Sequence, residues 1–224
     1  MDGVLCNLDA ALGREMHDRY GVLPIAPSQR IRYSITTEYS SLDESYRDYV
    51  LEILYSRGFF ESIPPIPGAI QGVKLLASVP NVKARTSSSA LLPCHLRHQV
   101  IVTSSYLLDS RHCASEKKKW PEPPTGTTPR FIVDLVLDKT LLFGDVLIDD
   151  NPRITGSCSP PMFGHQVLFT QPYNMRAKAR LRLDGWFTTL EEAEVFVEVT
   201  SGFTRILGSE SDNNFNGISS VIAA

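Results

Sequence analysis

Three short stretches of this sequence set carboxylates and hydroxyls where they could do chemistry. Asp2-Gly3-Val4-Leu5 stands at the start, Thr103-Ser104 follows Val100-Ile101-Val102, and Asp149-Asp150 follows Val146-Leu147-Ile148. Lysines lie nearby in Ser115-Glu116-Lys117 and in Leu137-Asp138-Lys139-Thr140. Carboxylates from two strand ends, facing each other, make an oxygen site suited to Mg2+. Hydroxyls and lysines around it would bind a phosphate and offset its charge. Together they compose a phosphoryl-transfer site. Each element alone has a plainer reading. Asp-Gly is commonly a turn, Asp149-Asp150-Asn151-Pro152 a capped turn, and Thr103-Ser104 a helix N-cap. Glu116-Lys117-Lys118-Lys119 reads equally as a solvated helix face. Their order and strand-terminal placement favour the joint reading.

Such a site needs a parallel α/β sheet, which collects functional groups at the carboxyl ends of its strands. The pattern along the chain supplies one. Ala11, Leu12, Met16 and Tyr20 recur at helical spacing and predict a helix over 9–20. Tyr46, Tyr49, Val50, Ile53 and Leu54 predict a second over 42–57, stopped by Gly58. The run Ile63-Pro64-Pro65-Ile66-Pro67-Gly68 is a stiff connection into a third helix over 68–78. Strands are predicted at 100–104, 145–150 and 166–170, and 131–137 reads as either strand or helix. Residues 83–99 have no periodicity and 121–130 are a Pro/Thr-rich loop. Residues 188–198 read as a helix, and the polar, small residues from Ser201 onward predict a flexible tail.

Composition sets the outer bounds. The 224 residues suggest one domain, or one domain with a modest insert, and 42% hydrophobic against 21% charged is ordinary for a globular chain. Lys plus Arg number 22 against 25 Asp plus Glu, so no basic excess points to a nucleic-acid polymer or an anionic membrane. No apolar run approaches the length that spans a bilayer. Cys6, Cys94, Cys113 and Cys158 are scattered, as reduced thiols of an intracellular protein would be.

Taken together, MDGVL at 1–5, FFESIPPIPGAIQGVKLLAS at 59–78, VIVTS at 100–104 and LDKTLLFGDVLIDDNPRITG at 137–156 resemble the haloacid dehalogenase superfamily. More narrowly, they resemble its 5′(3′)-deoxyribonucleotidases, and HQVLFT at 165–170 fits the strand that follows. The resemblance implies a Rossmann-like parallel sheet flanked by helices, formed by 1–10 and 67–200. It implies a small helical cap over 11–66 and leaves 201–224 as the tail.

It also implies roles. The family opens Asp-Met-Asp-Gly-Val-Leu, so Asp2 is the second aspartate, the general acid/base. The nucleophile that becomes a phospho-aspartate, and the central strand carrying it, would then precede Met1. On that expectation the chain is truncated and inactive as it stands, and the strands flanking the gap lose their partners. Thr103 and Ser104 would hold the phosphate, Lys139 and Lys117 would neutralise it, and Asp2, Asp149 and Asp150 would hold Mg2+. Leu8, Tyr33, Ser34 and Ile35 would lie near the nucleoside. Leu8 and Ser34 depart from the aromatics the family often has there, and Tyr33 and Ile35 read equally as core packing. Residues 83–99 have no counterpart in the family pattern. The implied substrate is a nucleoside monophosphate, the implied assembly a homodimer, and the implied compartment cytoplasm or mitochondrion. A non-catalytic relative that binds nucleotide or protein is the other reading.

Overall fold

A computed structural model describes residues 1–79, 101–120, 132–207 and 221–223. The segment 83–99 and the loop 121–130 lie outside the described residues. The first helix, α1 (Leu8–Tyr20), begins where the Asn7 side chain accepts from the Ala10 amide and ends at Gly21 in the left-handed region (φ 69°). Its Ala11, Leu12 and Met16 are buried, the stripe expected from the sequence. After a short 3₁₀ turn come α2 (Ile35–Ser40), α3 (Glu44–Tyr55) and α4 (Phe59–Ser62). Asp43 caps α3, and Val50, Ile53 and Leu54 form its buried face. Tyr20 of α1 stacks on Tyr49 of α3 with ring centroids 4.0 Å apart.

The core continues through α5 (Ala69–Ser78), β1 (Ile101–Ser104), α6 (Cys113–Lys119), β2 (Ile132–Leu135), β3 (Gly144–Asp149), β4 (Phe163–Phe169), β5 (Arg182–Leu183) and α7 (Leu190–Leu207). Within the ambiguous 131–137, Ile132–Leu135 is therefore strand. The last element, β6 (Val221–Ala223), lies inside the expected tail, and α7 runs seven residues into it from Ser201 to Leu207. At 201–207 and 221–223 this corrects the reading of a tail.

The strands form one sheet in the order β2-β1-β6-β3-β4-β5, with every pair parallel. Helix α5 packs on α7 and α6 on β2. Interior β3 buries Val146, Leu147 and Ile148 completely, as a strand covered on both faces must. The core is continuous from Met1, Val4 and Leu5 through the helices of 8–62 to the sheet. The expectation that the strands flanking the central position would lack partners is also corrected, because β6 pairs with both β1 and β3.

Candidate active site

Parallel strands bring three chain segments to one edge. Thr103-Ser104 ends β1, Asp149-Asp150 ends β3, and the Met1–Cys6 turn lies between them. The turn is tight: the amides of Val4, Leu5 and Cys6 all donate to the Met1 carbonyl, at 3.2, 2.8 and 3.1 Å. The Met1 amino group donates to the Thr103 carbonyl at 2.8 Å, which ties the turn to β1. Gly3 makes the reversal at φ 75°, and its α-carbon backs onto the Asp150 carboxylate so closely that a side chain would collide with it.

Lys117 reaches this edge from α6. On that short helix Glu116 and Lys117 are buried while Lys118 and Lys119 are exposed, so the basic run is a solvated face only in part. The Lys117 ammonium binds the Asp2 carboxylate and donates to Ser104 Oγ (3.0 Å) and the Ser105 carbonyl (2.7 Å). It also sits 4.6 Å from the centroid of the Phe60 ring. Burial would raise the Asp2 carboxyl, but the Lys117 charge and hydrogen bonds from Lys117 and Cys6 outweigh it and hold Asp2 below its ordinary 3.8.

Lys139 is placed by its neighbour. Asp138 accepts from the amides of Thr140 and Ser157, at 2.9 and 2.7 Å, and so stitches the Lys139 loop to the loop at 157. The Lys139 ammonium donates to Asp149 at 2.5 Å, and Asp149 also accepts from the Asn151 amide at 2.8 Å. Burial would lower Lys139, but the charges of Asp149 and Asp150 prevail and raise it. The lysine in direct contact with Asp2 is thus Lys117, while Lys139 holds Asp149.

Asp149 is fully buried and Asp150 almost so. Burial, then the Asp149 charge beside it, pushes the Asp150 carboxyl up to about 7. Among the described residues no three His, Cys, Asp or Glu side chains gather as a metal-holding group. Asp149 and Asp150 stand as a pair, and Asp2 is engaged with Lys117 instead of completing a triad. Two adjoining buried carboxylates with excess negative charge nonetheless have the chemistry a hard divalent cation would relieve. Thr103 Oγ1 is buried without a hydrogen-bond partner among the described residues, as a group awaiting a ligand would be.

Over this edge opens a cleft of about 280 Å³. Asp2, Gly3 and Asp150 form its floor, and Leu8, Tyr33, Ser34 and Ile35 line it together with Asn7, Asp9, Arg30, Ile66, Gln171 and Tyr173. All four residues expected near a nucleoside therefore face one cavity with the acids. Tyr33 is 45% exposed, which removes the core-packing reading for it.

Sequence reasoning missed Arg30 and Tyr173. Arg30 is buried, pairs with Asp9, and donates to the carbonyls of Arg32 (2.9 Å) and Tyr33 (2.6 Å). Its guanidinium lies 4.2 Å from the Tyr173 ring centroid, and the Tyr173 hydroxyl donates to Asp150. Asn174 Nδ2 donates to the Asp150 and Phe169 carbonyls, both at 2.8 Å. The available signal was Gln171-Pro172-Tyr173-Asn174 at the carboxyl end of β4, a fourth loaded strand end.

The chain matches a family model described as 5′ nucleotidase, deoxy (pyrimidine), cytosolic type C protein over residues 1–197. It is 32% identical over 192 residues to the human cytosolic-type 5′(3′)-deoxyribonucleotidase, covering 83% of this chain and 86% of that one. It is also 32% identical to the human mitochondrial 5′(3′)-deoxyribonucleotidase, covering 83% of this chain and 76% of that one. A putative 5′(3′)-deoxyribonucleotidase of Bordetella pertussis is 30% identical over 184 residues, covering 82% and 87%. The α/β sheet with its acidic, lysine-bearing edge accords with these matches, and the chain belongs to the cytosolic type C 5′ nucleotidase family, deoxyribonucleotidases of the haloacid dehalogenase type.

Proposed function

We propose that this fold hydrolyses the phosphate ester of 5′(3′)-(deoxy)nucleoside monophosphates with Mg2+ and through a phospho-aspartate. The observation that carries this reading is the meeting of Asp2, Lys117, Ser104, Lys139 and Asp149 under a cleft of nucleoside size.

The residues divide the work as follows. Lys117, Ser104 and the unpaired Thr103 hydroxyl bind the phosphate oxygens, and Lys117 and Lys139 offset its charge. Without substrate, Lys117 keeps Asp2 ionised. A phosphate dianion arriving at Lys117 competes for that ammonium and adds negative charge beside Asp2. Both effects raise the Asp2 carboxyl toward the protonated form, which donates to the departing alkoxide. Mg2+ would be held by Asp149 and Asp150 and would supply further charge neutralisation at the phosphoryl group. The nucleoside lies against Leu8, Tyr33, Ser34 and Ile35.

The attacking carboxylate comes from the position immediately ahead of Met1 in an extended chain. Each acid at this edge is already engaged: Asp2 by Lys117, Asp149 by Lys139 and Asp150 by Tyr173. That same observation favours the second reading, a non-catalytic nucleotide binder, for the 224-residue chain by itself. Function in the cytoplasm or mitochondrion is in keeping with the compartments named for the relatives.

The test is a paired assay of phosphate release from deoxynucleoside monophosphates, with Mg2+ and with a chelator. One arm uses the 224-residue chain, the other a chain extended ahead of Met1 by an apolar strand ending in Asp. Only the extended chain is expected to turn over, and only with Mg2+. Mg-dependent turnover by the shorter chain would overturn the nucleophile assignment. Silence of the extended chain on every nucleoside monophosphate would shift the reading to binding alone.

A further inference from the structure

Residues 30–34 belong to no helix or strand, and the side chains of 31–34 are all exposed. Neither a backbone ladder nor apolar burial therefore holds this loop, and such a segment is ordinarily among the most readily opened parts of a fold. Yet Tyr33 and Ser34 line the cleft, with Ile35 beside them at the start of α2. What fixes the loop is a pair of buried charges of opposite sign. Glu38 is 2% exposed and reaches back from α2, and one of its carboxylate oxygens accepts from the Ile31 and Arg32 amides at 3.2 and 2.6 Å. The half-exposed Arg32 guanidinium, 3.6 Å from the other oxygen, adds little. Arg30 is 4% exposed and takes the carbonyl side: its Nη2 donates to both the Arg32 and the Tyr33 carbonyl. Hydrogen bonds to ionised groups are about twice as strong as neutral ones, so two side chains replace a ladder here. Arg30 also sets where the loop stands. Its Nη1 pairs with Asp9 of α1, and its guanidinium lies over the Tyr173 ring, which the Tyr33 ring meets edge-on at 5.9 Å.

We propose that Arg30 and Glu38 are positioning residues for the nucleoside, acting through the loop they bracket to hold Tyr33 over the acid floor. The assignment rests on the nucleotide reading given above. The partners of both are the loop itself, Asp9 and Tyr173, none of them assigned to the phosphate. Their loss should therefore weaken the hold on the nucleoside and leave the hold on phosphate. The two positions differ in what they tolerate. Lysine at position 30 keeps the charge that faces Asp9 but loses the fork that binds Asp9 and two carbonyls at once. Glutamine at position 38 keeps an oxygen able to accept both amides, because a single carboxylate oxygen serves them; methionine keeps none.

The test compares the native chain with Arg30→Lys, Glu38→Gln and Glu38→Met. Dissociation constants are measured by NMR titration, in a chelator, for inorganic phosphate and for deoxyuridine and deoxyguanosine monophosphates. The ratio of the phosphate constant to the nucleotide constant isolates the share held by the nucleoside. Native and Glu38→Gln should have the same ratio. Arg30→Lys and Glu38→Met should lower it about tenfold, the order expected when buried hydrogen bonds are lost, with phosphate affinity unchanged. An unchanged ratio in both variants would overturn the proposal. A loss of phosphate affinity equal to the loss of nucleotide affinity would also overturn it, since that marks general damage to the fold. The contact between the Tyr33 and Tyr173 rings, read as a nuclear Overhauser effect, should weaken in the same two variants and persist in Glu38→Gln. Its persistence in all four chains would overturn the bracket whatever the ligands do. A native chain that binds both nucleotides no more tightly than phosphate, with the ring contact intact, would refute the nucleotide reading itself, and the proposal with it.

Discussion

Lys117 is the residue on which most of the site's electrostatics converge. It is 3% exposed and its carboxylate partner Asp2 about a quarter exposed. Removing one partner of a fully buried pair costs about 3–5 kcal/mol because a charge is left uncompensated. Water reaches Asp2, so Lys117→Met should cost about 2 kcal/mol, read by urea denaturation. A loss under about 0.5 kcal/mol would place the pair in the class of surface bridges. Tyr173 and Arg30 act one step away: one holds Asp150, the other stacks on that tyrosine from the residues between α1 and α2. Together they link the helical segment over the cleft to the acid floor.

At the scale of elements, close packing decides more than local propensity does. Gly72 lies in the middle of α5, where alanine would gain about 1 kcal/mol of helix propensity. A Cβ there would stand 2.6 Å from Trp186 Cε3 and 2.9 Å from Trp186 Cβ. Trp186 cannot yield readily, since its Nε1 donates to the Val4 carbonyl at 2.7 Å and holds the first turn. Overpacking of this kind costs about 1–3 kcal/mol. Gly72→Ala should therefore lower Tm despite the better helix former, and a raised Tm would refute the contact. The loop that places Lys139 has a pH signature. Hydrogen bonds from Ser157, then from Thr140, hold the Asp138 carboxyl well below its ordinary 3.8. A depressed acid contributes stability that is fully present above its unfolded value and is lost as pH falls through the folded one. The stability of the native chain should thus fall more steeply below pH 3.8 than that of Asp138→Ala, the two curves converging in strong acid. Parallel curves would mean the loop is held by something else.

For the molecule as a whole, the site should report itself through ligand-linked stability. A ligand that binds only the folded state at a hundred times its Kd adds about 2.7 kcal/mol. For a chain of this size that is a Tm rise on the order of 5–10 °C. Inorganic phosphate, the expected product, should produce such a rise in the native chain and a much smaller one in Lys117→Met. Equal shifts in both would place phosphate elsewhere. No helix among the described residues is long and apolar enough to cross a membrane.

Much of this architecture was legible in the residues themselves. Helices α1, α3 and α5 follow from apolar spacing, with Gly58 as the stop after α3, and β3 follows from an apolar run ending in two acids. The chemistry-bearing strand ends were visible for the same reason: a parallel sheet puts its functional groups at carboxyl ends, so order along the chain already implied convergence. Pairing was not visible. Which lysine meets which acid depends on the direction α6 and the 138–140 loop take across the edge, and a run of three lysines reads alike on a solvated and a buried face. Arg30 carried no local signal, since its partners Asp9 and Tyr173 are far from it in sequence. Most of all, Val-Ile-Ala after a polar stretch is too short to announce a strand. Only tertiary structure makes it one, because the gap between β1 and β3 supplies hydrogen-bond partners on both edges and buries Val221 and Ala223.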